Sequence, residues 1–266
     1  MVSNFLSIAP RSTAASTTLS SFMPEVGVNR QSLLMVVINH GLNQRALSLK
    51  RQFQNYLPTI ALDSGSVLSA EQRTQFDLCL PNVYYTGCLR AASEYAMKEG
   101  YSHVWIWASD VDCSEPAKAV RLCRETFAHT PADVYAPSAD YSFHPQMAPR
   151  PGLGLKRVTF TDGFCFAARS ELIARACDDF KGCVYGFGVD IQLGMLARKR
   201  HRHVYVDHRY QVDHPQGAGY SVRKATDEWH AWRRRQSVQT WLFHRLARKR
   251  FSRTPVGMKL LLSLPW

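Results

Sequence analysis

Two aspartates one residue apart, Asp110 and Asp112, close a short aromatic and apolar run, Val104-Trp105-Ile106-Trp107-Ala108. In extended backbone, residues i and i+2 point the same way, so both carboxylates can face one cation or one metal-bound diphosphate. The same pair also suits a strand-end turn with solvated acids. A third acid opens Asp63-Ser64-Gly65-Ser66, after the apolar segment Thr59-Ile60-Ala61-Leu62. A carboxylate with small hydroxyls can hydrogen-bond a nucleoside. Alternatively, the four residues form a Ser-rich turn that needs glycine for its backbone angles.

The surrounding pattern places these acids. Residues 33–38 are a continuous apolar run ending in Asn39-His40-Gly41, as in a buried parallel strand followed by a turn. Helical spacing follows over 43–56, a strand over 59–62, and a helix over 87–98 with Gly100 as its cap. A strand over 104–108, a helix over 115–128 and a strand over 133–137 continue the alternation. Residues 138–157 are rich in Pro and Gly and predict a loop over the ligand-bearing edge. A strand over 158–166, helices over 170–177 and 190–200, and a strand over 203–206 complete the body. The alternation predicts an α/β fold, an open and mostly parallel sheet with helices on both faces. In such sheets ligands bind outside the carboxyl ends of the strands, where both acidic clusters fall.

The chain has 266 residues and a formal net charge of +12. Residues 1–220 carry 22 basic and 19 acidic residues, whereas 221–266 carry 11 basic residues against only Asp227 and Glu228. The body is therefore near neutral, which makes nucleic acid a poor partner for it. Seven cysteines without a C-x-x-C pair predict reduced, mostly buried thiols in the cytoplasm and no structural zinc site. No apolar run approaches the ~20 residues that span a bilayer. Residues 1–30, rich in Ser and Thr, predict a flexible extension, and 31–220 a catalytic domain. Residues 221–266 combine Trp229, Trp232, Trp241, Leu242 and Phe243 with clustered arginines, the composition of an amphipathic helical tail. That tail either lies on an anionic membrane surface or packs its aromatic face on the body.

The order Asp63-Ser64-Gly65-Ser66, Asp110-Val111-Asp112, Thr161-Asp162-Gly163-Phe164, Gly186-Phe187-Gly188-Val189-Asp190 and Val212-Asp213-His214 resembles a GT-A glycosyltransferase of the large family-two type. The likeness covers roughly residues 33–220. It implies a nucleotide-sugar donor, most often a UDP-sugar, and a divalent metal, Mn²⁺ or Mg²⁺. Asp63, with Ser64 and Ser66, would meet the base or ribose, and Asp110 the ribose near the metal. Asp112 and His214 would hold the metal, with His208 competing for the second place. Asp190 would be the general base for an inverting displacement. Asp162, Gly163 and Gly188 would lie on the acceptor side.

Each assignment has a plainer counterpart. Asp190 opens an expected helix, where an acid is favoured by the helix dipole alone. Asp162-Gly163 also reads as a turn between strands. The chain departs from the family in having Asn39-His40-Gly41 after its first strand and Val189, not Glu, before Asp190. The implied acceptor is a glycan or lipid-linked glycan of a surface polysaccharide or lipopolysaccharide, reached from the inner face of the cytoplasmic membrane. Two other classes compete. A sugar nucleotidyltransferase would need a Gly-rich basic loop after the first strand, and Asn39-His40-Gly41-Leu42 is a poor one. A non-enzymatic RNA- or membrane-binding protein would leave the ordered acids unexplained.

Overall fold

The computed structural model describes residues 32–142, 144–215 and 221–248. The expected extension over 1–30, the loop around Gly219-Tyr220 and the apolar end 258–266 lie outside the described residues. The elements run in the order β1 (Leu33–Asn39), α1 (Asn43–Phe53), β2 (Thr59–Ser64), α2 (Ala70–Gln75), β3 (Leu78–Leu80), α3 (Tyr84–Lys98), β4 (His103–Ala108) and α4 (Pro116–His129). There follow β5 (Ala132–Ala139), β6 (Leu155–Val158), β7 (Cys165–Arg169), α5 (Ser170–Asp179), α6 (Val189–Lys199), β8 (His203–Val212), α7 (Val222–Arg234) and α8 (Val238–Arg248).

The strands form one eight-stranded sheet in the order β3-β2-β1-β4-β7-β5-β8-β6. β1 pairs in parallel with β2 and β4, β2 with β3, and β5 with β8. β7 runs antiparallel to both β4 and β5, and β6 antiparallel to β8. Every residue of β1 is buried because helices cover both faces. Its side chains alternate accordingly. Leu34, Val36 and Ile38 join Leu89, Ala92, Ile173 and Leu193 under α3, α5 and α6. Leu33, Met35 and Val37 join Leu47, Phe53, Trp105, Trp107 and Val120 under α1 and α4.

Three expectations about elements need correction. The strand foreseen over 158–166 is irregular over 159–164: β7 starts only at Cys165, and β6 lies almost wholly inside the foreseen loop of 138–157. The chain must cross there from the sheet edge to a slot between β4 and β5, so no single strand can cover it. Thr159 and Phe160 instead carry α6. A Cβ on Gly194 would stand 2.2 Å from the Thr159 carbonyl, so the helix needs glycine at its contact. The strand foreseen over 203–206 extends to Val212 and includes His208. Finally, α2 and β3 were not foreseen. Six and three residues are too short for a periodic signal, although Ser69 and Gln72 form a reciprocal capping box on α2.

The basic run over 198–203 is partly neutralised on the body. Asp133, fully buried on β5, meets the Nε atoms of Arg169 at 2.7 Å, Arg202 at 3.2 Å and Arg200 at 3.3 Å. Arg200 also pairs with Glu171 at 2.7 Å.

The C-terminal helices pack their aromatic face on the body. Trp229, Trp232 and Phe243 are buried among Phe160, Phe180, Ile191 and Met195. Trp232 stacks on Phe180, centroids 4.1 Å apart, and its Nε1 donates to the Asp179 carbonyl at 2.6 Å. Trp229 Nε1 donates to His244 Nδ1 at 3.3 Å, which leaves the His244 proton on Nε2, 2.9 Å from Gln192 Oε1. Gln192 Nε2 donates onward to Asp179 Oδ2 at 2.8 Å. A polar chain thus ties α7 and α8 to α6 inside an apolar cluster. Arg223, Lys224, Arg234, Arg235 and Arg245 remain on the outside. Among the described residues no helix is long and apolar enough to cross a membrane.

Two buried imidazoles make the fold acid-sensitive. Burial, followed by Arg233, pushes His244 down from the ordinary 6.5 to about 3. Burial, followed by Arg169, pushes His103 down to about 4. Both are neutral in the folded chain, whereas the unfolded chain protonates them near 6.5. Between those values the unfolded state binds more protons, so stability falls as pH falls through the window. Urea unfolding followed by tryptophan fluorescence should show midpoints that drop steadily from neutrality into the acid range. A His244→Gln variant should show a shallower slope; an equal slope in both proteins would contradict the assignment.

Candidate active site

The carboxyl ends of β1 and β2 are joined by side chains. Asn39, buried at the end of β1, donates from Nδ2 to Asp63 Oδ1 at 2.7 Å and to Asn43 Oδ1 at 2.8 Å. Its own Oδ1 accepts from the Leu42 N–H at 3.0 Å, ahead of α1. Asp63 Oδ2 accepts from the Ser66 N–H at 3.0 Å, and Ser66 Oγ from the Gly41 N–H at 2.7 Å. Ser64 Oγ accepts from the Val83 N–H at 3.1 Å, at the head of α3. Gly65 has φ +74°, and a Cβ there would stand 2.7 Å from the Asn82 backbone nitrogen. Asp63, Ser64 and Ser66 therefore form a bonded turn that shapes one side of the sheet's ligand edge.

Asp110 and Asp112 follow β4 beside this turn. The Asp112 N–H donates to the Asp213 carbonyl at 2.8 Å, which pins the acidic pair to the end of β8. His214, the next residue, brings Nε2 to 3.6 Å from Asp110 Oδ2. Its ring stacks on Phe164, centroids 3.9 Å apart and planes 20° apart, and its N–H donates to Asp140 Oδ1 at 2.9 Å. Burial alone would lower the His214 pKa. The hydrogen bond and charge of Asp110, with the charge of Asp162, outweigh it and raise the pKa above the ordinary value. Asp112 does not face Asp110 across an open gap. Arg45, on α1, donates to Asp112 Oδ1 at 2.7 Å and to the Asp110 carbonyl at 3.1 Å. Of the two competing histidines, His214 lies beside Asp110. His208 lies within β8 and lines a cleft of about 400 Å³ with Ser114, Lys118 and Pro149.

A second group sits on the same edge. Asp162 precedes β7, Asp190 lies in the first turn of α6, and His144 comes from the loop between β5 and β6. Their nearest ligating atoms all lie within 4.8 Å of one another. His144 Nε2 is 3.6 Å from Asp190 Oδ2, with the side chains 16% and 12% exposed. Asp190 Oδ1 accepts from the Ile191 N–H at 2.8 Å, so Oδ2 is the oxygen turned to the imidazole. Ser142 Oγ donates to Asp162 Oδ2 at 2.7 Å and accepts from the His144 N–H at 3.0 Å. The His144 ring meets the Phe160 face edge-on at 4.8 Å. The Gly163 N–H donates to Asp162 Oδ1 at 2.8 Å, and the Tyr85 hydroxyl donates to the Gly163 carbonyl.

The glycines before Asp190 have close neighbours inside the protein. Gly188 caps α6 with φ +91°, and a Cβ there would stand 2.3 Å from Trp229 Nε1. A Cβ on Gly186 would stand 2.6 Å from the Tyr85 ring. The backbone approach these glycines permit is thus made by Trp229 and Tyr85.

Oxygen donors with one imidazole suit Mg²⁺ or Mn²⁺. Among the described residues such a set converges in His144, Asp162 and Asp190, while Asp110 pairs with His214 and Asp112 with Arg45. Four residues at this edge, Arg45, Asp140, Ser142 and His144, were not foreseen from sequence. None sits in a motif, and His144 lies in a loop whose composition predicts only irregular chain.

No family model and no curated protein sequence matches the chain. Solved structures do match in shape. N-acetylgalactosaminyltransferase GalNAc-T7, solved with UDP, GalNAc and Mn²⁺, superposes with a TM-score of 0.57 at 10% identity, over 84% of this chain and 51% of the other. This chain thus spans about half the length of that one. Glucosyl-3-phosphoglycerate synthase from Mycobacterium tuberculosis, solved with Mg²⁺ and UDP, superposes with a TM-score of 0.51 at 14% identity, over 76% and 79% of the two chains. At such identities the likeness establishes the fold alone, an open GT-A-like, Rossmann-type α/β sheet.

Proposed function

We propose that this chain is a metal-dependent glycosyltransferase that moves a sugar from a nucleotide-sugar donor to a hydroxyl acceptor. One observation carries the reading. The carboxyl edge of a GT-A-like sheet gathers Asp110 against His214, Asp112 on the backbone of Asp213, and the convergent group His144, Asp162 and Asp190. In the proposed assignment the turn from Asp63 to Ser66 and Asp110 receive the nucleoside, and Asp112 with His214 hold Mn²⁺ or Mg²⁺. Such an ion, when bound, neutralises charge developing on the departing nucleoside diphosphate. Asp190 removes the acceptor proton, and Asp162 and Gly163 border the acceptor.

The donor class is tested by thermal shift with UDP, GDP, CMP and dTDP, each with and without Mn²⁺. One nucleotide, and only with the ion, should raise the melting temperature. A ligand at 100 times its Kd adds about 2.7 kcal/mol, or roughly 5–10 °C for a domain of this size. Asp112→Asn should abolish the shift while leaving the unliganded melting temperature within a few degrees. No response to any nucleotide would refute the reading.

With Asp190 as base opposite the leaving group, a single displacement inverts the anomeric carbon. Proton NMR of the first-formed product should show the configuration opposite to the donor's. Asp190→Asn should lower the rate by about 10²–10⁴, the usual contribution of a general base. A retained configuration would remove Asp190 from this role.

A lipid-linked glycan acceptor, as in surface polysaccharide or lipopolysaccharide assembly at the inner membrane face, suits the exposed cations of the C-terminal helices. Each Lys or Arg near an anionic leaflet contributes about 1 kcal/mol. Because Trp229, Trp232 and Phe243 are buried in the body, deleting the tail would damage the fold. The better test neutralises Arg223, Lys224, Arg234 and Arg235 to Gln and measures flotation with phosphatidylglycerol vesicles. Equal flotation of variant and parent would argue against membrane contact through this face.

A further inference from the structure

The base assigned above has a partner that no motif marks. Asp190 is fixed in place. Gly188 caps its helix under Trp229, Gly194 lets the helix lie on Thr159 and Phe160, and the Ile191 N–H holds Oδ1. Oδ2 is left facing His144 Nε2 at 3.6 Å. His144 is fixed as well. Its backbone N–H is held by Ser142, which is itself bonded to Asp162, and its ring abuts Phe160. The titratable groups facing the imidazole are Asp190 from α6 and Asp162 from the segment before β7.

We propose that the proton acceptor of this site is the pair His144–Asp190 and not the carboxylate alone. The inference rests on the glycosyltransferase reading and deepens it. An ordinary aspartate, with a pKa near 3.9, holds a proton poorly at neutrality, whereas an imidazole near 6.5 holds it well. In the step, the acceptor O–H bond breaks and its electron pair forms the new bond to the anomeric carbon. The bond from that carbon to the diphosphate oxygen breaks, and its pair leaves with the nucleoside diphosphate. The proton passes to Asp190 Oδ2 and then to His144 Nε2, which releases it to water. The protonated pair is an imidazolium beside a carboxylate, a stable arrangement at 3.6 Å. The carboxylate is thereby restored before the next turnover.

The pairing is tested without any substrate by following the His144 imidazole through pH by NMR, assigned by the loss of its signal in His144→Gln. Its midpoint should fall in Asp190→Asn, the direction expected on removing a carboxylate within about 4–6 Å. Asp162→Asn should move it less. A midpoint indifferent to Asp190→Asn overturns the proposal. So does loss of the titration on adding Mg²⁺ to the Asp112→Asn variant, since His144, Asp162 and Asp190 would then be holding a cation. With the donor found in the nucleotide panel, His144→Gln should lower kcat at least tenfold with KM little changed, and the acid limb of the rate profile should move to lower pH. An unchanged profile also overturns it. If no nucleotide binds but the NMR coupling is present, the glycosyltransferase reading fails and the pairing stands. If a nucleotide binds and the coupling is absent, the pairing alone fails.

Discussion

The site depends on one strand running the wrong way. β7 enters the sheet antiparallel between β4 and β5, whose carboxyl ends point to the ligand edge. The amino end of β7 therefore arrives where β4 and β5 finish. Phe164 accepts a backbone bond from Ala108, so Asp162 comes to the same edge as Asp110. A parallel strand in that slot would send residues 162–164 to the opposite edge. Two acids 52 residues apart in sequence thus share a site because of strand direction, with no local signal between them. The parallel pairing of β5 with β8 adds the rest, placing Asp140 beside Val212 and so bringing His214 to Asp110.

The C-terminal helices belong to this mechanical frame. Asp190 sits in the first turn of α6, and α6 is held on one side by the Thr159–Phe160 crossing and on another by Trp229 over Gly188. The chain from Trp229 through His244 to Gln192 is buried and ends at the half-buried Asp179, and each polar atom along it is matched to another. Its neutral histidine accepts from one residue and donates to the next, which an imidazolium could not do. A buried network of this kind specifies a single arrangement, because any shift of α8 leaves several polar groups unpaired at once. Of the aromatic residues that give the segment its membrane-like composition, Trp229, Trp232 and Phe243 are turned inward.

Much of the sheet was legible in the sequence, because β1, β2, β4 and β5 are apolar runs and α1, α3, α4 and α5 have clear helical spacing. The acids at strand ends were legible for the same reason. What could not be read was everything set by the crossing over 159–164. The apolar letters Val158, Phe160, Phe164 and Phe166 suit one strand as well as two, and only packing against Gly194 decides between them. The glycines before Asp190 show the other limit. Glycine there permits close approach of the backbone, but the neighbour that makes it at Gly188, Trp229, comes from 41 residues further along. Arg45 and His144 were invisible because a helix face and a loop place them, and neither carries a pattern.

Charge balance joins these observations. Asp112 is paired with Arg45 at 2.7 Å, Asp110 with His214 at 3.6 Å and Asp190 with His144 at 3.6 Å. Asp162 is satisfied by neutral donors, Ser142 and Gly163. Of these four carboxylates, three have a basic neighbour that offsets their mutual repulsion. Two of those neighbours are imidazoles, whose charge follows conditions, while Arg45 is always charged. On the proposed reading, a diphosphate at this edge would add more negative charge than His214 and His144 can offset, and a divalent cation would compete with Arg45 for Asp112. The near-neutral body and the acidic pair are consistent with one another on these terms. The strong positive charge lies on the outer face of α7 and α8, where it leaves the balance at the sheet edge undisturbed.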